Sequence, residues 1–176
     1  MRVGIFSDSH GDCAALCDLL KSMGHIDAAC FLGDVASDAD YLRKALSDMP
    51  HQPVLYAVRG NNDFASLLPD QLLIELAGRR IWMEHGHRCP SFTTLSLRAR
   101  EQGAQIALFG HTHQPFCGYD HGVLLLNPGS AGNACRGGKA RASVLVLEQD
   151  HLRVEDVLYG QKKIIGEKIQ KNAKYA

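Results

Sequence analysis

The sequence has no net charge, no long hydrophobic run and no cysteine pair at a metal-binding spacing. Its 176 residues carry 19 basic and 19 acidic side chains, so no overall electric field would attract nucleic acid or an anionic membrane. The apolar runs are too short to span a bilayer, and no signal peptide precedes the first apolar run. These absences predict a cytoplasmic protein with no membrane partner.

The six cysteines show no Cys-x-x-Cys motif. We therefore expect free thiols in a reducing compartment. Cys13 and Cys17 are four residues apart, which predicts two small side chains on one helix face rather than a metal site.

The length and composition predict one globular domain spanning residues 1–176. With 45% hydrophobic and 22% charged residues, a chain of this size can bury a sizeable core. The last part, from about residue 160 to 176, is rich in lysine. We expect this basic tail to be a solvated or frayed end, in which the lysines face a single Glu167: Lys162, Lys163, Lys168, Lys171 and Lys174.

Strands and helices alternate in the first half of the sequence. Short apolar runs that end in polar, glycine-bearing segments are typical of buried strands, and apolar residues at helical spacing follow two of them. Asp12 is placed to cap the first helix and Gly24 to end it. The order predicts a parallel sheet with strands 3–7, 28–32 and 54–58 and a second helix over 37–48.

The second half predicts strand pairs and one more helix. Three pairs of short strands, each joined by a short turn, are typical of antiparallel hairpins. They cover 72–76 with 80–84, 116–119 with 123–126, and 143–147 with 152–157. A helix capped by Ser91 and ended by Gly103 leads into a strand over 105–109.

Side chains that can bind metal follow five of the predicted strands. Since ligands of open α/β sheets bind at the carboxyl ends of strands, we expect these side chains to meet at one edge. An extended Asp8-Ser9-His10 would put Asp8 and His10 on one face. Seven oxygen and nitrogen ligands are too many for one zinc ion and suit two metal ions that share a carboxylate. The seven are Asp8, His10, Asp34, Asn61, His85, His111 and His113.

The motifs that follow the five strands resemble, in type and in order along the chain, the signature of the calcineurin-like metallophosphoesterases. The motifs are Asp8-x-His10, Gly33-Asp34, Gly60-Asn61-x-Asp63, His85-Gly86-His87 and Gly110-His111-x-His113. The short length and the segment Asn127-Pro128-Gly129-Ser130 are similar to the small prokaryotic phosphodiesterase branch of that superfamily. The resemblance implies an α/β fold of two packed mixed β-sheets flanked by helices, a four-layer αββα sandwich.

The resemblance also implies a binuclear metal centre, with manganese as the first choice and iron, zinc and nickel as alternatives. One metal ion would be held by Asp8, His10, Asp34 and His113, and the other by Asp34, Asn61, His85 and His111. Two cations roughly 3.5 to 4 Å apart lower the pKa of a bridging water. The resulting hydroxide is the expected nucleophile at phosphorus.

The remaining site residues are expected to assist catalysis or contact the substrate. With Asn61, we assign Asp63 and His87 to the catalytic set, although a structural role stays open for both. Asn62 lies where relatives that hydrolyse monoesters carry a histidine that protonates the leaving group, and an amide cannot be that acid. This favours a small phosphodiester as substrate, which Asn62 and Arg136 would contact.

Two alternatives to the phosphodiesterase stay open. The superfamily also contains a retromer subunit that acts as a protein-interaction scaffold and lacks part of the ligand set, which is complete here. It also contains nucleases; the zero net charge argues against nucleic acid as the partner, while the lysine-rich tail keeps it open. Whether subunits assemble into a homo-oligomer is open as well.

Overall fold

A computed structural model of the chain describes residues 1–132, 139–160 and 165–171, the last segment by its backbone alone. Within these ranges there are three helices: α1 (Cys13–Met23), α2 (Ala36–Ser47) and α3 (Phe92–Glu101). The strands are β1 (Arg2–Phe6), β2 (Ala28–Phe31), β3 (Val54–Ala57), β4 (Gln71–Leu76), β5 (Arg79–Glu84), β6 (Ile106–Leu108), β7 (Phe116–Asp120), β8 (Val123–Asn127), β9 (Arg141–Leu147), β10 (His151–Leu158) and β11 (Ile165–Lys171). The predicted alternation of strands and helices in the first half is confirmed.

The first sheet has the strand order β11-β10-β9-β1-β2-β3. Strands β1, β2 and β3 are parallel, as the βαβα order predicted. Strands β9, β10 and β11 extend the sheet on the other side of β1 in antiparallel pairs, so the predicted hairpin of β9 and β10 is confirmed.

The second sheet has the strand order β4-β5-β6-β8-β7. The predicted hairpins β4–β5 and β7–β8 are antiparallel. Between them, β5, β6 and β8 run parallel. Each sheet is therefore mixed and contains a parallel part whose strands all end at the same edge.

The hydrophobic core lies in three layers. Ile5 and Leu32 of the first sheet face Ile81 and Ile106 of the second, and all four side chains are fully buried. Helices α1 and α2 cover the outer face of the first sheet, and α3 covers the outer face of the second. The predicted four-layer sandwich is confirmed.

The helix ends show which capping predictions hold. Asp12 accepts a hydrogen bond from the Ala15 amide at 3.0 Å, and Ser91 caps α3 in the same way. Helix α2 begins one residue before the predicted start, and its preceding residue provides no side-chain cap. Instead, the Ala36 amide donates to Asp63 Oδ1 at 2.6 Å, so the cap comes from a distant loop.

The predicted frayed C-terminal end is wrong for residues 165–171. These residues form β11, which pairs with β10 over most of its length. The pairing satisfies backbone groups that β10 would otherwise expose at the sheet edge. This explains why residues 165–171 form a strand. Lys162, Lys163 and Lys174 lie outside the described residues.

Two further expectations concern thiols and membranes. Of the cysteines that the structure describes, all are free thiols, as predicted: Cys13, Cys17, Cys30, Cys89 and Cys117. Cys13 and Cys17 both lie on α1, and Cys135 falls outside the described part. In that described part, every helix is too short or too polar to cross a bilayer.

Candidate metal centre

The five predicted motifs occupy the loops that follow β1, β2, β3, β5 and β6. Because β1–β3 are neighbours in one sheet and β5–β6 in the other, their carboxyl ends form adjacent edges. Backbone hydrogen bonds join the loops within each sheet: the Asp8 amide donates to the Gly33 carbonyl at 3.0 Å, and the Gly110 amide to the His85 carbonyl at 2.9 Å. The His111 amide donates to Asp8 Oδ2 at 3.0 Å and so joins the loops of the two sheets. The structure therefore brings the motifs together, as expected.

One group of candidate ligands lies around the buried carboxylate of Asp8. Asp8 Oδ1 is 3.2 Å from His113 Nε2, which is itself 3.2 Å from His10 Nε2. Asp34 Oδ2 lies 4.0 Å from His10 Nε2. Three of these side chains, Asp8, His10 and His113, are close enough to hold one cation.

The second group lies around the ring of His85. Asn61 Oδ1 is 3.1 Å from His85 Nε2 and 3.0 Å from His111 Nδ1. Asp34 Oδ1 is 3.5 Å from His85 Nε2. Asp34 thus turns one oxygen toward each group, as a carboxylate shared by two ions can do.

In its neutral form, His85 carries its proton on Nδ1, and its Nε2 acceptor faces other hydrogen-bond acceptors. Its Nδ1 lies 2.7 Å from the Leu32 carbonyl, so Nδ1–H donates there. Burial lowers the pKa of His85 to about 4, which keeps the ring neutral at pH 7. The Nε2 lone pair then faces oxygens of Asn61, Asp34 and Asp8, an arrangement that a cation between them would make favourable.

Asp8 is the second sign that the site fits a cation. Burial and, to a smaller extent, the nearby charge of Asp34 raise the pKa of Asp8 to about 6. Asp8 Oδ2 accepts hydrogen bonds from Ser7 Oγ and the His111 amide. Asp8 Oδ1 is buried and has no hydrogen-bond donor among the described residues. A carboxylate oxygen beside imidazole nitrogens suits a divalent ion such as manganese, iron or zinc.

The loop after β1 is not extended, so that prediction is wrong. Asp8 and His10 have φ angles of 54° and 49°, in the left-handed region. The strand ends at Phe6, and the chain then turns so that Asp8 meets the loops after β2 and β6. Asp34, His111 and His113 share this conformation, which is costly for residues other than glycine and recurs at functional sites.

Two glycines allow the loops to approach one another. A Cβ atom on Gly60 would lie 2.1 Å from Asp34 Oδ1. On Gly110 it would lie 1.9 Å from Ser7 Oγ. Any side chain at either position would push the carboxylates out of the site, which explains the Gly-Asn and Gly-His pairs in the sequence.

Asp63 and Asn62 both support Asp34. The Asp63 carboxylate accepts hydrogen bonds from the amides of Gly60, Asp34 and Ala36 at 2.6–3.1 Å. Asn62 donates to Asp34 twice, from its backbone at 3.0 Å and from Nδ2 at 2.8 Å. These hydrogen bonds hold the loop in place, which is the structural role that the sequence left open for Asp63.

His87 lies beside the two groups of candidate ligands. Its ring centroid is 5.5 Å from that of His85 and 6.3 Å from that of His111. Burial lowers the pKa of His87, which disfavours its charged form. Arg136, which was predicted to contact substrate, lies outside the described residues.

Sequence reasoning missed the roles of Asp38, Asn127 and Ser130. Asp38 is buried and accepts hydrogen bonds from Ser9 Oγ at 2.6 Å and the Gly11 amide at 2.8 Å. Asn127 Nδ2 and Ser130 Oγ donate to the carbonyls of Gly110 and Asp8, both at 2.7 Å. The Asn127–Ser130 segment was noted as a resemblance, but its function as a brace for both loops is visible only in three dimensions.

The comparisons with known proteins agree with this site. The family model described as the calcineurin-like phosphoesterase superfamily domain matches residues 1–151. A probable metallophosphoesterase of Bacillus subtilis is 36% identical over 135 residues, which is 74% of this chain and 75% of that protein. The crystal structure of a predicted phosphoesterase from Streptococcus pneumoniae superposes with a TM-score of 0.76 at 26% identity, covering 97% of each chain.

The chain is also similar to a protein whose name describes a different role. Vacuolar protein sorting-associated protein 29 of Schizosaccharomyces pombe is 36% identical over 117 residues, which is 63% of this chain and 59% of that protein. The match of the family model extends over all five motifs that gather at the sheet edges. The chain therefore belongs to the calcineurin-like phosphoesterase superfamily.

Proposed function

We propose that this protein is a phosphodiesterase that depends on two divalent metal ions, with manganese as the first choice. The observation that carries the proposal is Asp34, whose two carboxylate oxygens face different groups of ligands. The first ion would be held by Asp8, His10, Asp34 and His113, and the second by Asp34, Asn61, His85 and His111. The unbonded Asp8 Oδ1 supports this assignment.

The proposed chemistry divides between the ions and the protein. When bound, a pair of divalent ions binds phosphoryl oxygens and makes hydroxide available near neutral pH. The protein fixes the ligands through Asn62, Asp63 and Asp38, which hold Asp34 and the loop after β1. It also shields Asp8 and His85 from water.

Asn62 supports a diester rather than a monoester substrate. Its amide is bonded to Asp34 and has no proton that could be transferred to a leaving oxygen. Loss of general-acid assistance commonly costs about 10² to 10⁴ in rate, most for poor leaving groups. Esters with acidic leaving groups, and phosphodiesters of this kind above all, are therefore the proposed substrates.

The test is hydrolysis of bis(4-nitrophenyl) phosphate by the protein loaded with manganese, compared with 4-nitrophenyl phosphate and glycerol phosphate. We expect the diester to be the preferred substrate and chelator to abolish its turnover. Asp34→Asn should remove activity, while Asp48→Asn, a carboxylate at the far end of α2, should not. Absence of diester turnover in the loaded wild type would refute the proposal.

A scaffold function is the second candidate, and two observations favour it. One is the similarity to vacuolar protein sorting-associated protein 29. The other is the exposure of Phe64 and Leu67 in the loop that follows Asp63, since exposed apolar side chains can form a protein interface. Tightly bound metal together with turnover of the diester would exclude the scaffold as the whole account.

A further inference from the structure

A cleft of about 410 Å³ lies against the proposed metal centre. Asn61, whose oxygen contacts the rings of His85 and His111, lines the cleft together with Asn62 and His87. This volume lies within the range of clefts that hold small organic ligands. The cleft is thus continuous with the metal site and large enough for the alcohol part of a phosphoester.

Phe64 gives the cleft an aromatic wall. Its side chain is 88% exposed, although a ring of this size gains free energy when it is buried. The loop that carries it is held at its base, where the Arg59 amide donates to the Pro69 carbonyl at 2.9 Å. The Ser66 amide donates to the Asp63 carbonyl at 3.1 Å and closes a turn around Phe64. The ring is therefore presented by an ordered loop.

Arg88 gives the same cleft a cation. Arg59 binds both oxygens of Asp70, at 2.7 and 2.9 Å, and Arg88 Nη1 shares one of them at 3.0 Å. The Arg88 side chain is 63% exposed, so most of its N–H groups remain available to a ligand. The other carboxylate at the wall, Asp63, already accepts three backbone hydrogen bonds.

We propose that Phe64 and Arg88 form a subsite that selects phosphoesters carrying a flat aromatic group. The ring of the ester stacks on Phe64, and the Arg88 guanidinium binds an anionic oxygen of the same ligand. This inference rests on the proposed function and adds the chemical class of the alcohol. It also names Arg88, which the structure describes, as the positively charged residue that binds the substrate.

The subsite is tested by calorimetric binding of phenylphosphonate and methylphosphonate to the full chain loaded with manganese. These ligands differ only in the ring and are not hydrolysed. We expect wild type to bind the phenyl compound about 3- to 10-fold more tightly, the range for one aromatic contact. Phe64→Ala and Phe64→Leu should abolish this preference, and Phe64→Tyr should keep it.

Two further variants complete the design. Leu67→Ala changes another exposed apolar side chain of the same loop and should leave the preference intact, while Arg88→Ala should weaken both ligands by similar factors. A wild type without the preference, or a preference that survives in Phe64→Ala, would overturn the subsite. Hydrolysis of bis(4-nitrophenyl) phosphate in the same samples separates the two claims: a phenyl preference without turnover refutes the proposed function and keeps the subsite.

Discussion

The buried carboxylate of Asp8 lowers the stability of the metal-free protein at neutral pH. The group is buried with one oxygen unbonded, and its pKa is raised from 3.8 to about 6. In the window between these values the folded state holds more protons than the unfolded state. The free energy of unfolding of the metal-free protein therefore falls as pH rises through this window.

We predict that Asp8→Asn stabilises the metal-free protein at pH 8, because the amide keeps an acceptor for Ser7 and His111 and carries no charge. The pKa shift corresponds to a gain of at most about 3 kcal/mol. Urea unfolding in chelator at pH 8 and pH 4 measures it, and the advantage should nearly vanish at pH 4. With manganese present the order should reverse. A variant less stable than wild type at pH 8 in chelator would show that Asp8 is not strained by its charge.

Asn62 carries the second residue-scale prediction. Asn62→His should place a titratable donor near the leaving oxygen, raising turnover of an alkyl monoester relative to an aryl diester. It should also add a dependence on pH on the acid side. Asn62→Ala is the matched control, since it removes the same hydrogen bond to Asp34 without adding an acid. If the histidine variant keeps its metal and the ratio does not move, Asn62 does not mark the position of the proton donor.

The start of α2 is hydrogen-bonded to the loops that carry the site. Asp63 joins it to the loops after β2 and β3 through three backbone hydrogen bonds. Asp63→Ala would leave these donors without their acceptor, at a cost of about 1–3 kcal/mol in unfolding free energy. We also expect weaker manganese binding, because the Asp34 amide is one of the three.

Asp63→Asn should lie between the alanine variant and wild type, since the amide retains one acceptor oxygen. Ser66→Ala is the control in the same loop, where Ser66 Oγ accepts a hydrogen bond from the nearby Leu68 amide and, among the described residues, from no other donor. Urea unfolding and manganese titration measure both effects. Equal behaviour of Asp63→Ala and Ser66→Ala would mean that Asp63 does not position Asp34.

The elements that the sequence predicts are those with local signals. Strand β2 is an apolar run, and α1 and α3 carry their own caps at Asp12 and Ser91. The start of α2 depends on a hydrogen bond to Asp63, and the formation of strand β11 depends on pairing with β10. No local sequence pattern encodes either contact.

The same distinction applies to the site. Residue types and order predict which side chains gather, because the carboxyl ends of parallel strands must meet. The left-handed turn at Asp8 depends on Gly110, about 100 residues away in sequence, which leaves room for Ser7 and the Asp8 carboxylate. The brace from Asn127 and Ser130 likewise joins segments that are far apart, so the sequence alone could not assign it.

In the whole molecule, each of the two ligand groups combines side chains from both sheets. Asp8 and Asp34 follow strands of the first sheet, and His85 and His111 follow strands of the second. The buried layer between the sheets, which includes Ile5 and Ile81, fixes the distance between the strand ends of the two sheets. We propose that the resulting site binds two divalent ions that share Asp34.

The number of manganese ions bound per chain tests whether the site is binuclear. Chelator-treated protein is saturated with manganese, freed of excess ion by gel filtration, and analysed for metal per chain. We predict two ions per chain in the wild type and the loss of both bound ions in Asp34→Ala. Asp48→Ala should bind as many ions as the wild type. Saturation of the wild type at one ion or none would contradict the account.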